Sequence, residues 1–183
     1  MDRRTRSSLI LLVLVVGVVG FILLLQAAVS GGDPPVAAPA TVAEGEAATV
    51  IGISDGDTIR VRLAGGWEER VRYIGVDAPE LSHPGDGIVA ECFGNESTEA
   101  NRELVANRDV VLERDVSDRD RNGRLLRHVW VPVGQGWLLV TEALVRDGYA
   151  DARSYRPDTR WDDELAAAEG QARDALAGMW GAC

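Results

Sequence analysis

The chain has 183 residues, and its 29 acidic side chains against 19 basic ones leave a formal charge of −10 at pH 7. That charge repels polyanions at long range and excludes a processive or tight non-specific nucleic-acid binder. Every basic residue is arginine and none is lysine, a choice that suits bidentate contacts to carboxylate or phosphate but that genomic base composition produces equally well.

Positions Leu9 to Leu25 are unbroken apolar residues or glycine, preceded by Arg3, Arg4 and Arg6. A run of this length just spans hydrocarbon, and the arginines place its start in the cytoplasm. The expectation is a cytoplasmic N-terminus over 1–8 and a transmembrane signal anchor over 9–29. The alternative is a signal peptide cleaved near Ala28-Val29-Ser30, which secretes the chain. Either way the remainder is placed outside the cytoplasm. Residues 30–47, with Pro34, Pro35 and Pro39 among alanines, glycines and acids, hold too little apolar surface to fold and read as a tether. One domain remains, 48–183, large enough for a single core.

Within it, Thr49 to Ile53 is rich in strand formers, and Thr58 to Leu63 alternates Ile59, Val61 and Leu63 with Arg60 and Arg62 before a Gly65-Gly66 turn. Both predict strands of a hairpin. The next strand, Glu68 to Val76, places Arg72 on the parity of Ile74 and Val76, toward an apolar face, where a guanidinium needs a partner: Asp57, Glu80 or a bound phosphate. His83 to Gly94 reads as a loop and Glu96 to Ala106 as a helix with Ala100, Leu104 and Val105 inward. Strands are expected at Val110 to Arg114, Leu125 to Val133 and Trp137 to Leu139. A helix follows from about Thr141 to Asp147 with Gly148 as its cap, and a last one runs from about Trp161 to Ala177, with Trp161, Leu165, Ala168, Ala172 and Leu176 on its core face.

Of the two cysteines, Cys92 precedes the first predicted helix and Cys183 is the last residue. Outside the cytoplasm an even pair suggests a disulfide. The alternatives are two free thiols, or a zinc site shared with His83 and His128 that lacks CxxC-type spacing.

Three runs carry the chemistry: Asp55-Gly56-Asp57-Thr58, Arg72 through Glu80, and Asp118 through Arg124. Singly they are ordinary turns and strand ends. Jointly they supply clustered carboxylates able to hold a hard cation and two guanidinium forks that match phosphate oxygens, the combination phosphodiester hydrolysis requires. With Glu142 to Ala150, Tyr155-Arg156-Pro157 and Gly178-Met179-Trp180 in the same order, the segment from about Ala48 to Trp180 resembles the staphylococcal nuclease (thermonuclease) family, calcium-dependent nucleases built on an OB-fold barrel.

The resemblance implies an α+β fold, a five-stranded OB barrel with three helices. It implies that Asp57, Asp77 and the main-chain carbonyl of Ala78 ligate one calcium ion, with waters completing the shell. Glu80 would be the general base, and Arg72 and Arg124 would grip the phosphate from two sides. Tyr155 and Arg153 would contact the nucleotide, and DNA or RNA would be cleaved to 3′-phosphates. The family prototype has threonine at Ala78, tyrosine at Asn122 and an aromatic residue at Arg153. Since a backbone oxygen ligates, Ala78 keeps that role, whereas the base-stacking platform is weaker. Two other readings are a catalytically inactive OB module that binds nucleic acid or an envelope partner, and a calcium-stabilised structural domain. Neither needs the complete set of Asp57, Asp77, Glu80, Arg72 and Arg124.

Overall fold

The computed structural model describes residues 42, 44–82 and 89–183. The predicted membrane span, most of the tether and His83 lie outside them. Three antiparallel strands open the domain: β1 (Glu46–Ile53), β2 (Thr58–Leu63) and β3 (Glu68–Tyr73). β1 pairs on its other edge with β5 (Asp109–Glu113), and β5 pairs with β6 (Leu125–Val133). β6 returns to β3 in parallel register, from Val71 opposite Leu125 to Tyr73 opposite Arg127. The ring β3-β2-β1-β5-β6 is therefore a closed five-stranded barrel, as expected, and β7 (Gly136–Leu139) extends β6 outside it. Closure leaves no exposed edge among these strands.

Alternation fills the barrel. Ile59 and Val61 point inward while Arg60 and Arg62 stay in solvent; Val71 and Tyr73 of β3, Leu112 of β5 and Val129 and Val131 of β6 complete the interior. Helix α1 (Gly94–Val105) seals one side with Val105, α2 (Val140–Arg146) with Leu144 and Val145, and α3 (Asp162–Asp174) with Leu165, Ala168 and Ala172. A single turn, α4 (Met179–Ala182), ends the chain. A second cluster gathers Val42, Trp130 and Leu139. Strand pairing already begins at Glu46 and Val42 is buried, so the chain joins the barrel before the predicted first strand at Thr49.

Three further differences follow from local geometry. The strand predicted to Val76 stops at Tyr73, because Gly75 adopts φ +86° and turns the chain. Val76 and Asp77 form a separate short strand, β4, paired with β8 (Asp151–Ala152). The parity assigned to Arg72 is also reversed: Val71 and Tyr73 occupy the interior, and Arg72 faces outward against carboxylates. Finally, α3 ends at Asp174 and Leu176 takes φ +51°, so Leu176 is exposed and does not belong to the packed stripe.

The sulfurs of Cys92 and Cys183 lie at disulfide distance, 2.08 Å, across a separation of 91 residues. The bond ties the segment preceding α1 to α4. Closing a loop of that length contributes roughly 4–5 kcal/mol in the chain-entropy description.

His128 of β6 is buried beside Trp161 and Asp115, its Nε2 4.0 Å from Asp115 Oδ2, and neither ring nitrogen has a hydrogen-bond partner. Burial lowers its pKa to about 4 despite the acids Glu113 and Asp115 nearby. The unfolded chain, with an ordinary imidazole pKa near 6.5, thus binds a proton that the native chain refuses, and the stability contributed by neutral His128 is complete above pH 6.5 and lost as pH falls toward 4. The expected loss is about 3 kcal/mol, with a slope of about 1.4 kcal/mol per pH unit between those limits. Urea unfolding of wild type and His128→Leu at pH 7.5 and pH 5 checks this, since the variant should lose that part of the pH dependence and keep the part due to carboxylates.

Candidate active site

The first run forms the turn between β1 and β2. Asp55 Oδ1 accepts the Asp57 N–H at 3.0 Å, a local bond that shapes the turn as its sequence suggested. Gly56 is needed for a close approach: a Cβ there would stand 2.6 Å from the Ala78 Cβ and 3.1 Å from that of Ser97 on α1. This brings the turn onto the second run. Asp57 is almost fully buried, and its Oδ2 accepts the Ala78 N–H at 2.9 Å while Oδ1 accepts the Thr58 hydroxyl at 3.0 Å.

Arg72 links the two carboxylates. Its Nη1 pairs with Asp57 Oδ1, and its Nη2 donates to Asp77 Oδ1 at 2.6 Å and to the Val76 carbonyl at 3.2 Å. Burial pushes the Asp57 carboxyl up to about 7 even against this guanidinium, with Asp55 adding to the rise. Glu80 is exposed, yet it too is raised, by partial burial first and then by Asp55, with Asp77 and Glu91 adding to the rise and Arg72 opposing it. The site thus gathers four acids, Asp55, Asp57, Asp77 and Glu80, around one arginine.

That excess of negative charge, presented on hard oxygens, fits a hard divalent cation. Among the described residues no three histidine, cysteine or acidic side chains converge to enclose a metal unaided. Asp57 and Asp77 are the two carboxylates that Arg72 brings together here.

Beyond Arg72 opens a cleft of about 450 Å³, lined by Arg72, Arg121, Asn122, Arg124, Tyr155 and Arg156 together with Asp120, Asp158 and apolar residues. Asp120 builds its far wall. Its Oδ1 accepts the Asn122 and Arg124 N–H groups, both at 2.9 Å, and its Oδ2 accepts Arg124 Nε at 2.6 Å, so one carboxylate both folds the turn and aims the guanidinium. Asp118, by contrast, serves the scaffold by pairing with the buried Arg127 at 2.8 Å.

Arg72, Arg124 and Tyr155 therefore share the cleft, and Asp57 and Asp77 join it through Arg72, with Ala78 held by its N–H to Asp57; Glu80 is not among the lining residues. Arg153 is not among the lining residues. Its guanidinium pairs with Asp151 at 3.4 Å and its N–H donates to the Gly75 carbonyl at 2.8 Å, because the β4–β8 pairing turns that stretch toward α3. Arg121 and Arg156 line the cleft instead. Also unforeseen was Asn101 of α1, fully buried. It accepts the Tyr73 hydroxyl at 2.8 Å and donates to the Asp55 carbonyl at 2.9 Å, tying helix, barrel and acidic turn together.

Comparison with known proteins agrees with this geometry. The family described as Staphylococcal nuclease homologue matches residues 70–182. A protein named Thermonuclease from Staphylococcus hyicus is 31% identical over 131 residues, covering 72% of this chain and 73% of that protein. Another of the same name, from Staphylococcus intermedius, is 30% identical over 149 residues, covering 81% of this chain and 84% of the relative.

Asn101→Ala should destabilise the domain by about 1–3 kcal/mol, since it leaves the buried Tyr73 hydroxyl without its acceptor. Adding Tyr73→Phe should recover part of that loss, and urea unfolding of the two single variants and the double variant measures the coupling.

Proposed function

This chain belongs to the staphylococcal nuclease family and is a hydrolytic nuclease, and we propose that it is a calcium-dependent phosphodiesterase that cleaves DNA or RNA to 3′-phosphate products outside the cytoplasm. The observation that supports this reading is Arg72, which holds both Asp57 and Asp77 while lining the same cleft as Arg124. A phosphodiester lying in that cleft meets guanidinium groups from strand β3 and from the turn before β6. Their donors stabilise the charge that grows on the non-bridging oxygens as phosphorus becomes five-coordinate.

Glu80 accepts a proton from the attacking water as its oxygen bonds to phosphorus. The bond to the 5′-oxygen breaks, and that oxygen takes a proton from solvent. Burial and neighbouring acids raise the proton affinity of Glu80, which makes it a better base than an ordinary exposed glutamate, provided it stays ionised. The residues that would hold calcium are the carboxylates of Asp57 and Asp77 and the carbonyl of Ala78. Bound there, the ion would offset phosphate charge and the mutual repulsion of the acids. The N-terminal apolar run supports placement at the membrane, with the domain on its outer side.

The purified full chain should hydrolyse single-stranded DNA, duplex DNA or RNA with calcium and lose that activity to a chelator. Glu80→Gln should lower kcat by about 10²–10⁴-fold, the usual contribution of a positioned base, with a smaller change in KM. Arg72→Lys should cost about 10²-fold or more, because an ammonium cannot reproduce the two-pronged contact. A folded, calcium-saturated wild type that cleaves none of the three substrates overturns the reading.

A further inference from the structure

The turn Glu91-Cys92-Phe93-Gly94 leads into α1, and its two ends, Glu91 and Gly94, both close on Glu80. The Glu80 N–H donates to Glu91 Oε2 at 3.0 Å, and the Glu91 N–H donates back to the Glu80 carbonyl at 3.0 Å. Gly94 presses on the same peptide, since a Cβ there would stand 2.5 Å from the Glu80 carbonyl oxygen and 3.3 Å from that of Pro79. The turn closes on itself through the Gly94 N–H to the Glu91 carbonyl at 3.1 Å, with Phe93 at φ +73°. Its two middle side chains fasten it to the rest of the protein: Phe93 stacks on Tyr149 with ring centroids 5.6 Å apart, and Cys92 is joined to Cys183 beyond α3. The side chain of Glu80, meanwhile, is exposed.

We infer that the Glu91–Gly94 turn is the positioning element for Glu80, and that the Cys92–Cys183 bond makes the position of this base depend on the C-terminal segment. The inference rests on the catalytic reading of Glu80 given above. Glu91 acts through its acceptor oxygen on the Glu80 backbone and touches no reacting atom, so it is a positioning residue. The disulfide then has two separable consequences. Loop closure stabilises the whole fold, whereas anchorage of the turn limits the excursions of one peptide at the site. Small displacements of a catalytic group matter: a misplacement of about 1 Å can cost about 10²-fold in rate.

The test compares the full-length wild type with Glu91→Ala, Glu91→Gln, Gly94→Ala and the double variant Cys92→Ser/Cys183→Ser. Val145→Ala, a core substitution on α2, controls for lost stability. All are assayed at a temperature where circular dichroism shows them folded. Amide exchange at Glu80, read by NMR, reports the clamp without reference to catalysis. Expected are faster Glu80 exchange and a kcat lowered about 10-fold at near-constant KM in Glu91→Ala, Gly94→Ala and the double cysteine variant. Glu91→Gln, which keeps an acceptor oxygen, should restore most of kcat, and Val145→Ala should change melting temperature alone.

If the double cysteine variant melts earlier but keeps wild-type kcat and Glu80 protection, the bond is only a staple and the inference is overturned. Equal losses in Glu91→Gln and Glu91→Ala would overturn the role of the acceptor oxygen. A wild type with no hydrolytic activity overturns the functional reading and the catalytic half of this inference with it, while the exchange data still decide whether the disulfide anchors the turn.

Discussion

The site depends on a single guanidinium held between two carboxylates. Arg72 reaches Asp57 on the β1–β2 turn and Asp77 on β4 while it lines the cleft. Much of the local backbone serves that meeting. Gly56 lets the acidic turn approach Ala78, and Gly75 breaks β3 so that Asp77 swings back toward Arg72 while β8 holds the short strand that carries it. Burial makes the arrangement electrostatically tense, because one positive charge faces several negative ones in a poorly solvated place. One positive charge shared among several acids leaves an excess of negative charge on hard oxygens beside a cleft that Arg72 and three further arginines line.

Net charge and local charge diverge in this protein. The chain carries −10 overall, yet the cleft sets Arg72, Arg121, Arg124 and Arg156 against only Asp120 and Asp158. Both of those acids are committed: Asp120 to the Arg124 turn, and Asp158 to the Val116 and Ser117 N–H groups at 3.0 and 2.7 Å. Long-range steering of a polyanion is weak under these conditions, while short-range capture of a phosphate is not. That combination suits an enzyme that releases its products more than a scaffold that retains nucleic acid.

A layer of polar residues holds the candidate site residues in place. Asp120 aims Arg124, Asn101 ties the acidic turn to α1, and Glu91 grips the peptide of Glu80. None of these could be recognised from its neighbours in the chain. Asp120 sits in a charge run that reads as a solvated loop, Asn101 interrupts an otherwise unremarkable helix, and Glu91 lies eleven residues beyond its partner. Asn101 and Glu91 act over 46 and 11 residues of sequence that only folding closes, whereas Asp120 acts within its own turn.

Much was nonetheless determined by the sequence alone. Period-two alternation in β2 and the apolar content of β5 and β6 specify strands whose inner faces fill a barrel, and the i, i+3, i+7 spacing of Leu165, Ala168 and Ala172 specifies the packed face of α3. Asp57, Asp77, Glu80, Arg72 and Arg124 are candidates that the family resemblance supplies, and the fold brings Asp57 and Asp77 onto Arg72 and puts Arg72 and Arg124 in one cleft. What tertiary structure decided was direction. The sign of one dihedral at Gly75 ends a strand and reverses where Asp77 points. The parity of β3 puts Arg72 outside the barrel rather than within it, and the β4–β8 pairing turns Arg153 away from the cleft and leaves Arg156 in it. Local sequence sets which residues are apolar, charged or turn-forming. Which of them meet is settled by barrel closure, because the partners arrive from separate strands and only the closed ring fixes their register.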